Sequence, residues 1–203
     1  DGAYVRSRVP RVYLFGSFIA YDPQVGSAQR NIEFGGSGGF EVLSGVEDEV
    51  DREVSVIRDV LDKARPLPHD DVMDVVLSPE LAGIMVHESI GHPLELDRIM
   101  GREGAEAGES YAKPDYLGSF RIGSELVTII DDPTIPNSYG FYLVDEEGVT
   151  ARPRYLVRNG VINEFLMNRE YASYIGLSSN AAARASEFDK EPIPRMANTY
   201  LAP

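Results

Sequence analysis

The chain has no cysteine among its 203 residues. No disulfide can brace it, which suits a reducing, cytoplasmic setting, and thiolate is struck from the ligands that these residues can offer a metal. Nor does any apolar run approach the ~20 residues of a membrane span, and no signal-peptide pattern opens the chain. A soluble protein is expected, with no membrane partner. Basic residues are outnumbered: 19 Lys and Arg stand against 33 Asp and Glu, a formal net charge of −14. Phosphate backbones need a basic surface, so nucleic acid is excluded as the main ligand. Most of the acids read as solvated surface, and a field of this sign mildly favours cationic peptides. Histidine is scarce too, with three in all. The rest is ordinary for a globular protein, with 43% hydrophobic residues, enough for one sizeable core or two small ones.

Two of the three histidines fall in one stretch, His87-Glu88-Ser89-Ile90-Gly91-His92. Neutral imidazoles are usual protein ligands of zinc, and a glutamate beside them can take the proton of an attacking water. The familiar zinc-peptidase helix spells His-Glu-x-x-His, with both rings on one face. Here the interval is one residue longer. Positions i and i+5 lie about 140° apart on an ideal helix, so a straight helix through 87–96 would argue against a shared metal. Two distortions can absorb the extra residue. One is a single wide π turn, a feature often found at functional sites. The other is a helix that ends near Gly91, with His92 returning from the first non-helical turn. Gly91 tolerates either backbone and Pro93 disrupts a continuing helix. The π turn is preferred.

Such a string can arise by chance, so its setting matters. Asp74-Val75-Val76-Leu77 reads as a short buried strand. Ser78 is a good N-cap, Pro79 suits the first helical position and Glu80 complements the positive helix end. Leu81, Ile84 and Met85 supply an apolar stripe. The helix therefore starts at 79 and carries His87 on a packed support, as a site requires. Beyond it, Leu94 to Met100 reads as a further helical turn or two. Glu95 can be a carboxylate ligand or can orient an imidazole from behind, and Asp97 is another such candidate. Salt bridges with Arg98 or Arg102 are the alternative for both.

His87-Glu88-Ser89-Ile90-Gly91-His92-Pro93-Leu94-Glu95-Leu96-Asp97 resembles the His-Glu-x-x-Gly-His-x-Leu-Glu-x-Asp signature of the TldD/PmbA family of metallopeptidases. Asp74 to Glu80 looks like the lead-in to it. Asp145-Glu146-Glu147-Gly148, Val157 to Ile162 and Pro194 to Tyr200 are similar to later family motifs. The resemblance covers most of the chain. It implies a TldD-type subunit, since the PmbA-type partners lack the metal motif. It also implies a downstream cysteine as a further zinc ligand, peptides or unfolded protein segments as substrates, and a homologous sister subunit in a heterodimer or homodimer. The chain lacks an initiator methionine and stops in mid-motif by family standards, so it reads as a fragment of a larger two-domain subunit. Residues 1–70 would be the end of a central domain plus a connecting helix, and residues 71–203 the start of the C-terminal metallopeptidase domain.

Elsewhere, residues 1–43 read as strands, with a turn at Asp22-Pro23. The run Phe34 to Phe40 is a glycine-rich turn, bulged edge or flap; it lacks the Gly-Lys-Ser/Thr ending of a phosphate loop. Ser44 to Ala64 is a helix, with Ser44 and Glu47 as a capping box and Val46, Val50, Val54, Ile57 and Leu61 at helical spacing. His69, in a proline-rich turn, reads as a surface histidine rather than a remote ligand. Gly101 to Gly118 is long enough to be a lid or binding loop. Leu126 to Asp131 and Gly140 to Val144 read as strands, with Asp145 to Gly148 a turn before it is a metal site. Arg154 to Leu166 is a hairpin about the type I′ signal Asn159-Gly160. A short helix runs from Asn168 to Ile175 and stops at Gly176. Residues 177–203 look loop-like, and there Arg195 can hold a substrate carboxylate as a fork or be an ordinary surface arginine.

The fold expected is α+β, with mixed or antiparallel sheets and two principal helices. The function expected is zinc-dependent hydrolysis of peptides, with His87 and His92 on the metal and Glu88 as the base. The alternatives are a peptide-binding or assembly subunit without catalysis, because the third ligand is missing, and a metal-binding module that is not a peptidase.

Overall fold

The computed structural model describes residues 4–66, 72–102, 104 and 108–203. The chain divides into two units, Val9–Val76 and Leu77–Pro203 with Asp1–Arg8. In the first, strands β1 (Arg11–Asp22) and β2 (Gly26–Ser37) form an antiparallel ribbon in register from Arg11↔Ser37 to Asp22↔Gly26. Its turn is tied by Asp22, whose Oδ1 accepts from the amides of Gln24 at 2.7 Å and Val25 at 3.1 Å. Helix α1 (Val46–Lys63) packs on the ribbon with Ile57 buried, and Arg30 in β2 pairs with Glu53 at 2.7 Å.

Two readings of this unit change. Phe34 to Ser37 is not a flap but the end of β2, paired with Leu14 back to Arg11; only at Gly38, φ +148°, does the chain leave the ribbon. Nor is there a capping box. A 3-10 turn at Phe40–Leu43 takes the Ser44 amide onto Glu41 O, and Gly45 turns the chain at φ +84°, with no side-chain cap. Three acids in the first turn of α1 face its positive end instead.

The second unit holds helices α2 (Pro79–Val86), α3 (Leu96–Ile99) and α4 (Arg169–Tyr174) around two antiparallel sheets. The larger sheet has strands β3 (Ile129–Asp131), β4 (Arg154–Arg158), β5 (Val161–Ile162) and β8 (Thr199–Leu201) in the order β5-β4-β3-β8; the smaller pairs β6 (Ala183–Arg184) with β7 (Ile193–Pro194). Asn159 and Gly160 have φ of +49° and +78°, as a type I′ hairpin demands. Asn168 caps α4 by accepting from the Tyr171 amide at 2.9 Å, and Gly176 ends it at φ +70°. The core gathers Leu94, Leu96, Leu156, Val157, Ile162, Phe165 and Leu166, all buried, with Val86 and Ile90 against them. The 94–96 segment is fastened there by two backbone bonds, Leu166 N to Leu94 O at 2.8 Å and Leu96 N to Leu166 O at 3.0 Å.

A charged pair sits inside this unit. Arg154 and Asp131 are both 0% exposed and ion-paired. Asp131 Oδ1 also accepts from the Ala197 amide at 2.7 Å and the Thr199 hydroxyl at 2.8 Å. Arg154 donates to the Tyr142 hydroxyl at 3.0 Å and to Ala181 O. Burial opposes the charge on Arg154, but the facing Asp131 and Tyr142 outweigh it and raise its pKa. The pair thus joins β3, β4 and the segment before β8.

Local strand signals failed where no partner arrived. Asp74 to Leu77 has no regular structure, and Val76 is 98% exposed. Gly140 to Val144 is irregular, with one bridge, Val144 to Thr150. A Cβ on Gly140 would run into the Ala197 carbonyl, and this close approach replaces strand pairing. Leu126 is exposed, so β3 starts only at Ile129. Residues 177–203, expected as loop, supply three short strands, β6 to β8. The stripe Leu81, Ile84 and Met85 is exposed; the helix is anchored by Val86 instead. No helix among the described residues is long and apolar enough to cross a membrane.

Candidate metal centre

Ser78 starts α2 with extended backbone and accepts from the Leu81 amide at 3.3 Å, while Pro79 occupies the first turn. The helix then widens. Residues His87–Gly91 form a π turn, and the His92 amide reaches back to His87 O, five residues away. That bond absorbs the surplus residue, so positions 87 and 92 fall on one side. The ring Nε2 atoms of His87 and His92 are 3.1 Å apart, and the ring planes cross at 87°. Glu88 Oε1 is 3.9 Å from His87 Nε2. Ligand atoms of His87, Glu88 and His92 all lie within 4.8 Å of one another.

This donor set fits a zinc ion. Two nitrogens at about 2.0–2.1 Å from a tetrahedral zinc lie roughly 3.3 Å apart, close to the spacing here. The His92 ring is held from behind. Its Nδ1 meets Glu95 Oε2 at 3.1 Å, and that oxygen also accepts from Arg98 Nε at 2.6 Å and Arg195 at 3.1 Å. A carboxylate on Nδ1 keeps the proton there and turns the Nε2 lone pair outwards, the usual arrangement behind a metal-ligating histidine. Glu95 is 0% exposed and lies behind the imidazole, not beside the facing Nε2 atoms, so of its three sequence readings both the orienting one and the salt bridge to Arg98 match the geometry. Asp97 meets Arg195 at 3.4 Å, whereas Arg102 pairs with Glu191 at 2.6 Å. Replacing Glu95 by glutamine is expected to weaken zinc binding about 10- to 100-fold, read by competition with a chromophoric chelator.

Arg195 lines the adjoining cavity, of about 690 Å³, together with His87 and His92. Its Nη1 donates to Glu95 and Asp97 and braces the motif. Met196 lies across the π turn, and a Cβ on Gly91 would strike its thioether. The segment after Gly101 also meets the turn. Tyr111 donates to Ser89 O at 2.8 Å, and burial raises its phenol pKa to about 12. Ser110 Oγ donates to Pro93 O at 2.7 Å. Asp145 is structural: Oδ1 accepts from the amides of Glu147 at 3.0 Å and Val149 at 2.8 Å, closing a turn. His69 lies outside the described residues, as do 103 and 105–107 of the expected lid.

The chain belongs to the PmbA/TldA metallopeptidase C-terminal domain family, whose model matches residues 70–203. A protein of Methanothermobacter thermautotrophicus named a metalloprotease is 39% identical over 204 residues, covering 100% of this chain and 42% of the relative. A zinc metalloprotease TldD homolog of Saccharolobus solfataricus is 37% identical over 131 residues, covering 64% of this chain and 27% of that protein. TldE of Thermococcus kodakarensis has the same fold, with a TM-score of 0.66 at 18% identity over 95% of this chain and 40% of that structure. The chain thus spans well under half the length of the curated relatives it matches.

Proposed function

We propose that this chain carries the zinc-binding part of a peptidase that hydrolyses peptides or unfolded protein segments. The observation that carries the reading is the π turn that brings His87 Nε2 and His92 Nε2 to 3.1 Å, with the Glu88 carboxylate alongside. Family membership and the relative named a zinc metalloprotease support it. His87 and His92 would hold the ion. A catalytic zinc commonly takes three protein ligands; the family resemblance implies a cysteine for the third, which none of these 203 residues can be. Zinc in such a site supplies Lewis acidity, acidifying a water and polarising the scissile carbonyl. Glu88 accepts the proton of the attacking water on its carboxylate and hands it to the departing amine. Glu95, clamped by Arg98 and Arg195, keeps the His92 ring turned to its task. The resemblance further implies a homologous sister subunit, and the lack of cysteine suits a cytoplasmic setting.

The test is metal dependence of the intact protein. Peptide cleavage is expected to vanish on dialysis against a chelator and to return with about one equivalent of zinc. Cleavage that survives metal removal would overturn the proposal. Stoichiometric zinc without cleavage of any peptide would favour the metal-binding module.

A further inference from the structure

The chain as a whole is strongly acidic, at −14, but the cleft beside the two imidazoles is not. Four cations line it, Arg102, Arg184, Lys190 and Arg195, against two acids, Glu95 and Glu191. Each acid is taken by arginine: Glu191 by Arg102 at 2.6 Å, and Glu95 by Arg195 at 3.1 Å and also by Arg98, which does not line the cleft, at 2.6 Å. The hydrogen bond from Arg102 holds the Glu191 carboxyl below its ordinary pKa, so that acid stays charged and committed. Two positive charges remain. Neither Arg184 nor Lys190 forms an ion pair with a described residue. Arg184 is half-buried and fixed: it lies in β6, opposite Ile193 of β7, donates to Met196 O and sits 6.0 Å from the centre of the Tyr142 ring. Lys190 is exposed and lines the same cavity, with a reach that a fixed guanidinium lacks.

A half-buried arginine without a counter-charge among the described residues, in a cavity shared with the two imidazoles, is suited to receive an anion from outside. In a site that binds peptides the available anion is a carboxylate. We propose that Arg184 and Lys190 bind a carboxylate of the peptide, either an Asp or Glu side chain or the free C-terminus, and make the site selective for it. Arg184 sets the position and Lys190 closes on the second oxygen. The local field therefore selects against the cationic peptides that the net charge alone would favour, because nearby charge outweighs distant, screened charge. Selectivity in cleavage rests on the peptidase reading above; selectivity in binding does not.

The experiment measures binding to the intact Glu88→Gln protein by fluorescence anisotropy. Three labelled peptides of one length are compared: acidic with an amidated C-terminus, neutral with a free carboxylate, and neutral with an amidated C-terminus. At least one carboxylate peptide is expected to bind about 10- to 100-fold tighter than the last, the range of a charge-assisted hydrogen bond, and which one it is identifies the source. Arg184→Gln with Lys190→Gln should erase the difference. Should that pair fail to fold, Lys190→Glu on the exposed residue alone should reduce it and favour lysine-bearing peptides. Equal binding of all three, or a preference untouched by these substitutions, would overturn the proposal. Cleavage is then scored with Glu88 in place: preferential binding without hydrolysis keeps the carboxylate site and sinks the peptidase reading, and hydrolysis without preference does the reverse.

Discussion

Exchanging Glu88 for glutamine is expected to slow peptide hydrolysis by about 10²–10⁴-fold while zinc content stays at the wild-type level. Glutamine keeps the shape and the hydrogen-bonding reach of the side chain but cannot carry a proton away from water. The geometry explains why metal should be retained. The two ring nitrogens face each other without help from Glu88, whose own carboxylate stands 3.9 Å from the nearer one. Its side chain is largely exposed, so no packing is lost on substitution. Elemental analysis and steady-state rates on one preparation decide the matter. A parallel fall in zinc would make Glu88 a ligand instead of a base, and an unchanged rate would remove it from the mechanism.

Asp131→Ala is expected to destabilise the fold by about 3–5 kcal/mol, because it strands a buried guanidinium. Arg154 is wholly enclosed, and its remaining partners, the Tyr142 hydroxyl and backbone carbonyls, are neutral. The substitution also orphans the Ala197 amide and the Thr199 hydroxyl. Removing both charges, as Asp131→Leu with Arg154→Met, should recover most of the loss, since an apolar pair can replace a buried ion pair. It should leave about 1–3 kcal/mol unrecovered for the orphaned donors. Urea unfolding of the wild type, Asp131→Leu, Arg154→Met and the double variant closes a double-mutant cycle, and Asp131→Ala measured beside them gives the first figure. Additive losses would show that the two residues do not act as a pair. The segment that loosens is the one before β8, which carries Arg195 and Met196 to the cleft, so activity should fall with stability.

What could be read from the residues alone was whatever depended on near neighbours. Ser78-Pro79 starts its helix, Asn168 caps another and Asn159-Gly160 turns a hairpin because each signal is complete within a few residues. The wide turn at 87–91 was legible for the same reason: if two histidines one residue too far apart are to face one point, the backbone has few alternatives. Glu95 was half legible. Its spacing allowed a ligand, an orienter or a salt bridge, and the meeting of His92, Arg98 and Arg195 on one oxygen lies beyond what spacing can show. The failures were long-range. Val75 and Val76 have every local mark of a strand and no partner among the described residues, whereas two-residue strands such as β6 and β7 carry no mark and exist because they find each other. Arg154 and Asp131 are 23 positions apart, and nothing in either neighbourhood announces the other. The same holds for Arg184 and Lys190, which join the histidines only once β6 and β7 have folded back.

The contact between Gly91 and Met196 ties two properties that would otherwise vary independently. Hydrogen is the only substituent that position 91 admits while the thioether stays where it is. A bulkier residue there must evict Met196 and reshape the chamber beside the rings, and a bulkier residue at 196 must press on the widened coil. Drift at either position is therefore answerable to the other, and a lineage that alters the size of what it accepts must do so on a different wall.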